Sequence, residues 1–275
     1  MGLRIGTNIA AIAANRALQQ NSQKIAKSFK ALASGERFGQ PGDDPASFAI
    51  SESLRGQERG FMQAKRNAEN AIGFLQVAEG GLSEQNNIIV RLREIAVQSA
   101  SDTIGDDERE YLNQEFQQLL SEVDRIANST RFGEKKLLTG SNEEYEFFLG
   151  TTASTDEDVV RFRAEADTRT DALGISGLDV ADQDEARAVL ADLDDALNTI
   201  SAARAGFGAL QGRLEFSVNH LDVQRENVAS ARSRISDADI AEEVTELARG
   251  RILHDFGISV LAQANMNPER ALRLL

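Results

Sequence analysis

Side chains suited to chemistry are few in this 275-residue chain, and their spacing argues against a catalytic centre. The only two histidines, His220 and His254, stand 34 residues apart. Neither an HExxH helix nor a Ser/His/Asp trio can be built around them. There is no cysteine, so thiolate metal ligation, disulfides and a cysteine nucleophile are excluded. Gly206-Phe207-Gly208-Ala209-Leu210-Gln211-Gly212 approximates a phosphate loop, but its third glycine comes one place late and no strand precedes it. Those glycines read instead as close contacts with a neighbouring helix or as points of flexure. Asp43-Asp44-Pro45 pairs two carboxylates that could bind a divalent cation, yet an acid before proline is also how a helix starts. We expect no catalytic residue, no metal, no cofactor and no enzymatic activity.

The elements that would carry these residues are long helices. The three prolines are Pro41, Pro45 and Pro268, which leaves everything between Ala46 and Asn267 free to run as uninterrupted helix. Ala186, Leu193, Ile200, Phe207, Leu214, Leu221, Val228 and Ile235 recur at steps of seven, with Leu190, Leu197 and Val218 at the +4 positions. Such a heptad repeat predicts a rod with one apolar seam. Phe61, Ala68, Leu75, Leu82, Ile89 and Ala96 repeat the pattern, and Leu112, Phe116, Leu119, Val123 and Ile126 form a shorter stripe behind the acidic turn Asp106-Asp107-Glu108. With 13 Phe, 2 Tyr and no Trp, the core should be thin, as in a helical bundle.

Both ends carry weaker stripes: Leu18, Ile25, Phe29 and Leu32 at one, Ile240, Val244, Leu247, Ile258 and Leu261 at the other. Ser22 breaks the first, and Arg251 with His254 breaks the second. Neither stripe buries enough area to offset its own ordering entropy, so both ends are expected to be disordered in a free monomer and to gain structure in self-assembly. Residues 35–45 are a Gly/Pro-rich hinge, residues 145–165 alternate as a β-hairpin, and residues 171–180 read as an extended connector. The fold class expected is mainly α: a long antiparallel bundle or coiled coil from both chain ends, with a small hairpin at about 143–180.

Charge is concentrated. Residues 141–200 hold 16 acidic and 4 basic side chains and account for most of the net −14. The flanks are nearly neutral, as surfaces packed against copies of themselves must be. Nucleic acid is therefore a poor partner, no stretch is long and apolar enough to insert in a membrane, and the first twenty residues lack a secretory apolar core.

The stretch ARSRISDADIAEEVTELARGRILHDFGISVLAQANMNPERALRLL resembles the flagellin C-terminus, above all in SRISDADIAEEV and SVLAQANMNPERALRLL. LASGERFGQPGDDPASFAIS resembles the family's spoke region, and RNAENAIGFLQVAEGGLSEQNNIIVRLREIAVQSAS its helical core. The resemblance spans nearly the whole chain and lacks only the large outer insertion many flagellins carry. It implies a subunit that polymerises into the bacterial flagellar filament used for swimming. Residues 1–45 plus 236–275 would form the inner coiled coil, and 46–235 the bundle with its hairpin. It further implies unfolded export through the flagellar type III apparatus to an extracellular filament, assembly beneath a cap protein above hook-junction proteins, and an export chaperone holding Val244, Leu247, Ile258 and Leu261. A host Toll-like receptor would meet the face of Arg91, Ile95 and Glu115. The alternatives are a hook-filament junction or other axial protein, an enzyme carried on flagellin ends, and a soluble coiled-coil adaptor.

Overall fold

The computed structural model describes residues 7–151 and 158–272, with side chains to 266. It comprises helices α1 (Ile9–Ser34), α2 (Pro45–Ser99), α3 (Asp106–Ser129), α4 (Gln183–Ser236) and α5 (Ile240–Leu272). Between α3 and α4 lie strands β1 (Arg131–Phe132), β2 (Lys135–Lys136), β3 (Glu144–Phe148) and β4 (Val159–Arg163). Packing divides the chain into two compact units: Met1–Glu58 with Asn227–Leu275, and Arg59–Glu226. The division falls inside α2 and α4, where no turn chemistry marks it.

In the unit of residues 59–226, the heptads become the seam. Ala68, Leu75, Leu82, Ile89 and Ala96 of α2 are buried together with Ala186, Leu193, Ile200, Phe207 and Leu214 of α4. Phe116, Leu120, Val123 and Ala127 of α3 complete this core. Ion pairs flank the seam: Lys65 Nζ lies 2.6 Å from Asp222, Arg204 2.8 Å from Glu79, and Arg93 2.7 Å from Asp194. Exposed pairs of this kind add little stability, but their alternating signs favour this antiparallel alignment over shifted ones.

β3 and β4 pair antiparallel, with Tyr145 opposite Phe162 and Phe147 opposite Val160. The inward face of this hairpin surrounds Phe74 of α2, whose ring meets those of Phe132, Tyr145, Phe147 and Phe162 edge-on at centroid distances of 5.1 to 6.3 Å. Edge-to-face geometry is what aromatic quadrupoles prefer. The short β1–β2 hairpin, turning through Gly133 at φ +63°, was not anticipated, because two-residue strands leave no periodic signal.

Two sequence expectations need correction, and one residue was overlooked. Residues 171–180 are a series of turns and not an extended connector: Leu173, Ile175 and Val180 are buried, and the Ile175 N–H bonds Thr170 O at 3.0 Å. A Cβ built at Gly206, Gly208 or Gly212 would meet nothing within 4 Å, so these glycines mediate no close helix contact. Gln85, unremarked in the sequence, is fully buried, and its Nε2 donates to Val123 O (3.0 Å) and Thr168 O (3.2 Å). It ties α2 to α3 and to the segment leading into the turns.

In the other unit, the two connectors bond to each other. Arg37 N donates to Ser236 O at 2.7 Å and Ala238 N to Gly35 O at 2.9 Å, around a bridge between Glu36 and Asp237. Asp44 is a helix cap: its carboxylate accepts the Ser47 N–H at 3.1 Å, and hydrogen bonding from the Ser47 side chain first, then from that backbone N–H, holds its pKa below the ordinary value.

Candidate assembly surface

α1 and α5 run antiparallel and so close that their Cα atoms come within 8 Å. On α1, the residues turned to the partner are Ala11, Ala14, Leu18, Asn21, Ile25, Ser28 and Leu32; on α5 they are Glu243, Leu247, Gly250, His254, Gly257, Leu261 and Ala264. Both sets advance by alternating threes and fours, the coiled-coil period, but much of the seam is small or polar. Glycine and alanine at these positions permit the close approach. Polar groups reach across it. Asn21 Nδ2 donates to Gly250 O at 2.7 Å and Asn8 Nδ2 to Ala264 O at 2.9 Å. His254 borders a groove with Ser22, Ile25, Phe29 and Arg251, and its buried Nδ1 has no hydrogen-bond partner among the described residues.

Most of the large apolar side chains of the two helices lie off this seam. Ile9, Ile12 and Phe29 of α1 and Ile240, Val244, Ile252, Leu253, Phe256, Ile258, Val260 and Met266 of α5 are each between 49% and 66% exposed. Ordinary amphipathic helices do the reverse, burying large residues and exposing small ones. So many large apolar side chains exposed on two helices are unusual for a surface that stays in water.

The nine sequence-predicted assembly residues therefore separate into two groups. Leu18, Ile25, Leu32, Leu247 and Leu261 are half-buried in the internal seam; Phe29, Ile240, Val244 and Ile258 are exposed. The four residues expected to meet a chaperone are split the same way, two on each side. Sequence reasoning passed over Ile9, Ile12, Ile252, Leu253, Phe256, Val260 and Met266 because it looked for one stripe. The overlooked signal was that α5 carries apolar residues on several faces at once.

Of the three residues expected to form a receptor face, only two can be touched. Arg91 Nη2 pairs with Glu115 Oε1 at 2.8 Å, and Nη1 with Glu94 at 3.1 Å, contacts that raise the Arg91 pKa, Glu115 contributing most. Ile95 is fully buried, since it shares the core side of α2 with Leu92 and Ala96. His220 Nε2 lies 2.8 Å from the Gln224 side-chain amide nitrogen.

Long helices paired through a seam with many small and polar residues, with large apolar side chains left exposed, define the class: a helical protein of the filament-forming kind. Residues 5–143 match the bacterial flagellin N-terminal helical region, and residues 190–275 the bacterial flagellin C-terminal helical region. A flagellin of Halalkalibacterium halodurans is 37% identical over 271 residues, covering 98% of this chain and 99% of its own. The flagellar filament 33 kDa core protein of Treponema phagedenis is 38% identical over 288 residues, covering 98% and 99%. Among solved structures, Bacillus cereus flagellin superimposes with a TM-score of 0.51 at 27% identity, over 61% of this chain and 94% of that one. A hook-associated protein of Vibrio parahaemolyticus shares the fold at TM-score 0.60 but only 15% identity, over 71% of this chain and 100% of that one. The chain belongs to the bacterial flagellin family and is a structural subunit of the flagellar filament, not an enzyme.

Proposed function

We propose that the α1/α5 pair is the polymerisation element, and that copies of this chain associate through its outward apolar residues, with 1–45 and 236–275 forming the inner layer of the filament. The observation that carries this reading is the imbalance of the pair: many inner positions are small or polar, while eleven large apolar side chains of the two helices are left exposed. Association of one surface with a different surface on the next copy does not close into a ring, and it propagates as a helix. The acidic block at 141–200 suits the solvent-facing side of such a polymer.

The same surface accounts for the remaining steps in the life of the subunit. Apolar helices must be kept from premature association, which is the task of an export chaperone. It would hold Val244 and Ile258 directly, and would reach Leu247 and Leu261 only with α5 parted from α1. Export through the type III apparatus, addition beneath a cap protein and seating on hook-junction proteins follow from the same design. A host Toll-like receptor would engage Arg91 and Glu115, with Ile95 shaping the helix beneath. Deleting residues 250–275 tests the reading: a soluble protein that no longer forms filaments under the electron microscope is expected, and filaments from the truncated chain would refute it.

A further inference from the structure

We propose that Gly250 and Gly257 are the register-setting notches of the α1/α5 pair, receiving Ile25 and Leu18 so that the outward apolar residues of the two helices are held in one fixed alignment. This rests on the reading of that surface as the polymerisation element. An ideal Cβ on Gly250 would lie 2.8 Å from Ile25 Cγ1, and one on Gly257 would lie 3.0 Å from Leu18 Cγ and 3.1 Å from its Cδ2. Neither glycine has a positive φ, so backbone conformation does not demand them; space does.

The spacing gives the notches their meaning. Ile25 and Leu18 are seven residues apart on α1, and Gly250 and Gly257 are seven apart on the antiparallel α5. Sliding the helices by one heptad would seat one knob and lose the other. In one direction Ile25 would enter Gly257 while Leu18 met Ala264; in the other, Leu18 would enter Gly250 while Ile25 met Glu243. Only the observed register fills both notches, and there Asn21 reaches Gly250 O and Asn8 reaches Ala264 O. With nine of its fourteen inner positions small or polar, the seam has few large side chains besides these knobs to specify alignment, whereas the residues outside it depend on that alignment to match a neighbouring molecule.

The test uses the full-length chain, seeded polymerisation and the monomer concentration at which filaments first appear. Alanine is the better helix former, so by propensity alone Gly250→Ala would strengthen α5 and ease assembly. The notch predicts the opposite: that concentration should rise on the order of tenfold, the scale on which one overpacked methyl acts. Combining Gly250→Ala with Ile25→Ala returns the lost space and should bring assembly back toward wild type. Unchanged or improved assembly by Gly250→Ala overturns the proposal, as does failure of Ile25→Ala to rescue it, since a loss of flexibility would not be cured from the opposite helix. If the wild-type chain itself does not polymerise on flagellin seeds, the polymerisation reading falls first.

Discussion

Replacing Phe256 with alanine should separate the stability of the folded chain from the stability of the polymer. Phe256 is 66% exposed in α5, so only about a third of its surface is covered within its own chain. Full burial of a phenylalanine is worth roughly 1.5–3 kcal/mol, which leaves on the order of 1–2 kcal/mol to be gained when a second copy covers the rest. Phe256→Ala should therefore raise the critical concentration for polymerisation roughly five- to thirtyfold, at about 1.4 kcal/mol per factor of ten. The monomer should lose little, because truncating an exposed side chain usually changes stability by about 0.5 kcal/mol or less. Sedimentation of assembled from unassembled protein measures the first quantity, and circular dichroism through thermal unfolding the second. A lowered melting temperature with an unchanged critical concentration would show that Phe256 packs inside its own subunit, and would refute the argument from exposure.

Phe74→Ala should remove the centre of the aromatic cluster, costing about 3–5 kcal/mol in denaturant unfolding, with loss of ordered β3–β4 amides in exchange experiments. Gln85→Leu leaves Val123 O and Thr168 O without this donor and should cost about 1–3 kcal/mol, read as a shift in the urea midpoint with an unchanged slope. Asp167 is held below the usual carboxylate range chiefly by the Arg169 side chain, at 2.6 Å, against the opposing effect of burial. A depressed native pKa gives stability that is present above the unfolded value and lost as pH falls through the native one. Asp167→Asn should therefore flatten the acid limb of the melting curve below about pH 4, and an unaltered limb would show that Asp167 contributes nothing there. Arg91→Ala should leave the melt unchanged, because both Arg91 and Glu115 are solvent-exposed and such pairs add little.

The bundle was legible because its residues repeat: each heptad step from Ala186 to Leu214 lands in the core, and one apolar face with one period leaves little ambiguity. The β3–β4 hairpin was legible from alternation. Gln85 was not, because a polar residue inside an apolar stripe looks like an interruption until the carbonyls it serves, on α3 and at Thr168, are brought beside it by tertiary packing. The turns at 171–180 were hidden for a related reason. Gly174 and Gly177, at φ +72° and +68°, allow a path that small apolar residues fill, and no periodicity records it.

The terminal helices carry the larger lesson. A search for one apolar stripe on each terminal helix picks out Leu18, Ile25 and Leu247 as assembly residues, and the structure places these three half-buried between α1 and α5, while Phe256 and Ile252, exposed on α5, go unremarked. Ser22, Arg251 and His254, which interrupted the stripe, lie along the groove where the pair meets. On the proposed reading, what looked like a weak coiled coil is a seam whose outward apolar residues are buried on assembly. Monomer folding and assembly would then draw on different residues of the same two helices. The prediction that follows is a dissociation of phenotypes: substitutions in the bundle core should unfold the chain, whereas substitutions at Ile252, Phe256 or Val260 should leave it folded and unassembled. Any residue of this outward set whose loss melts the monomer would show that the two surfaces are not separate.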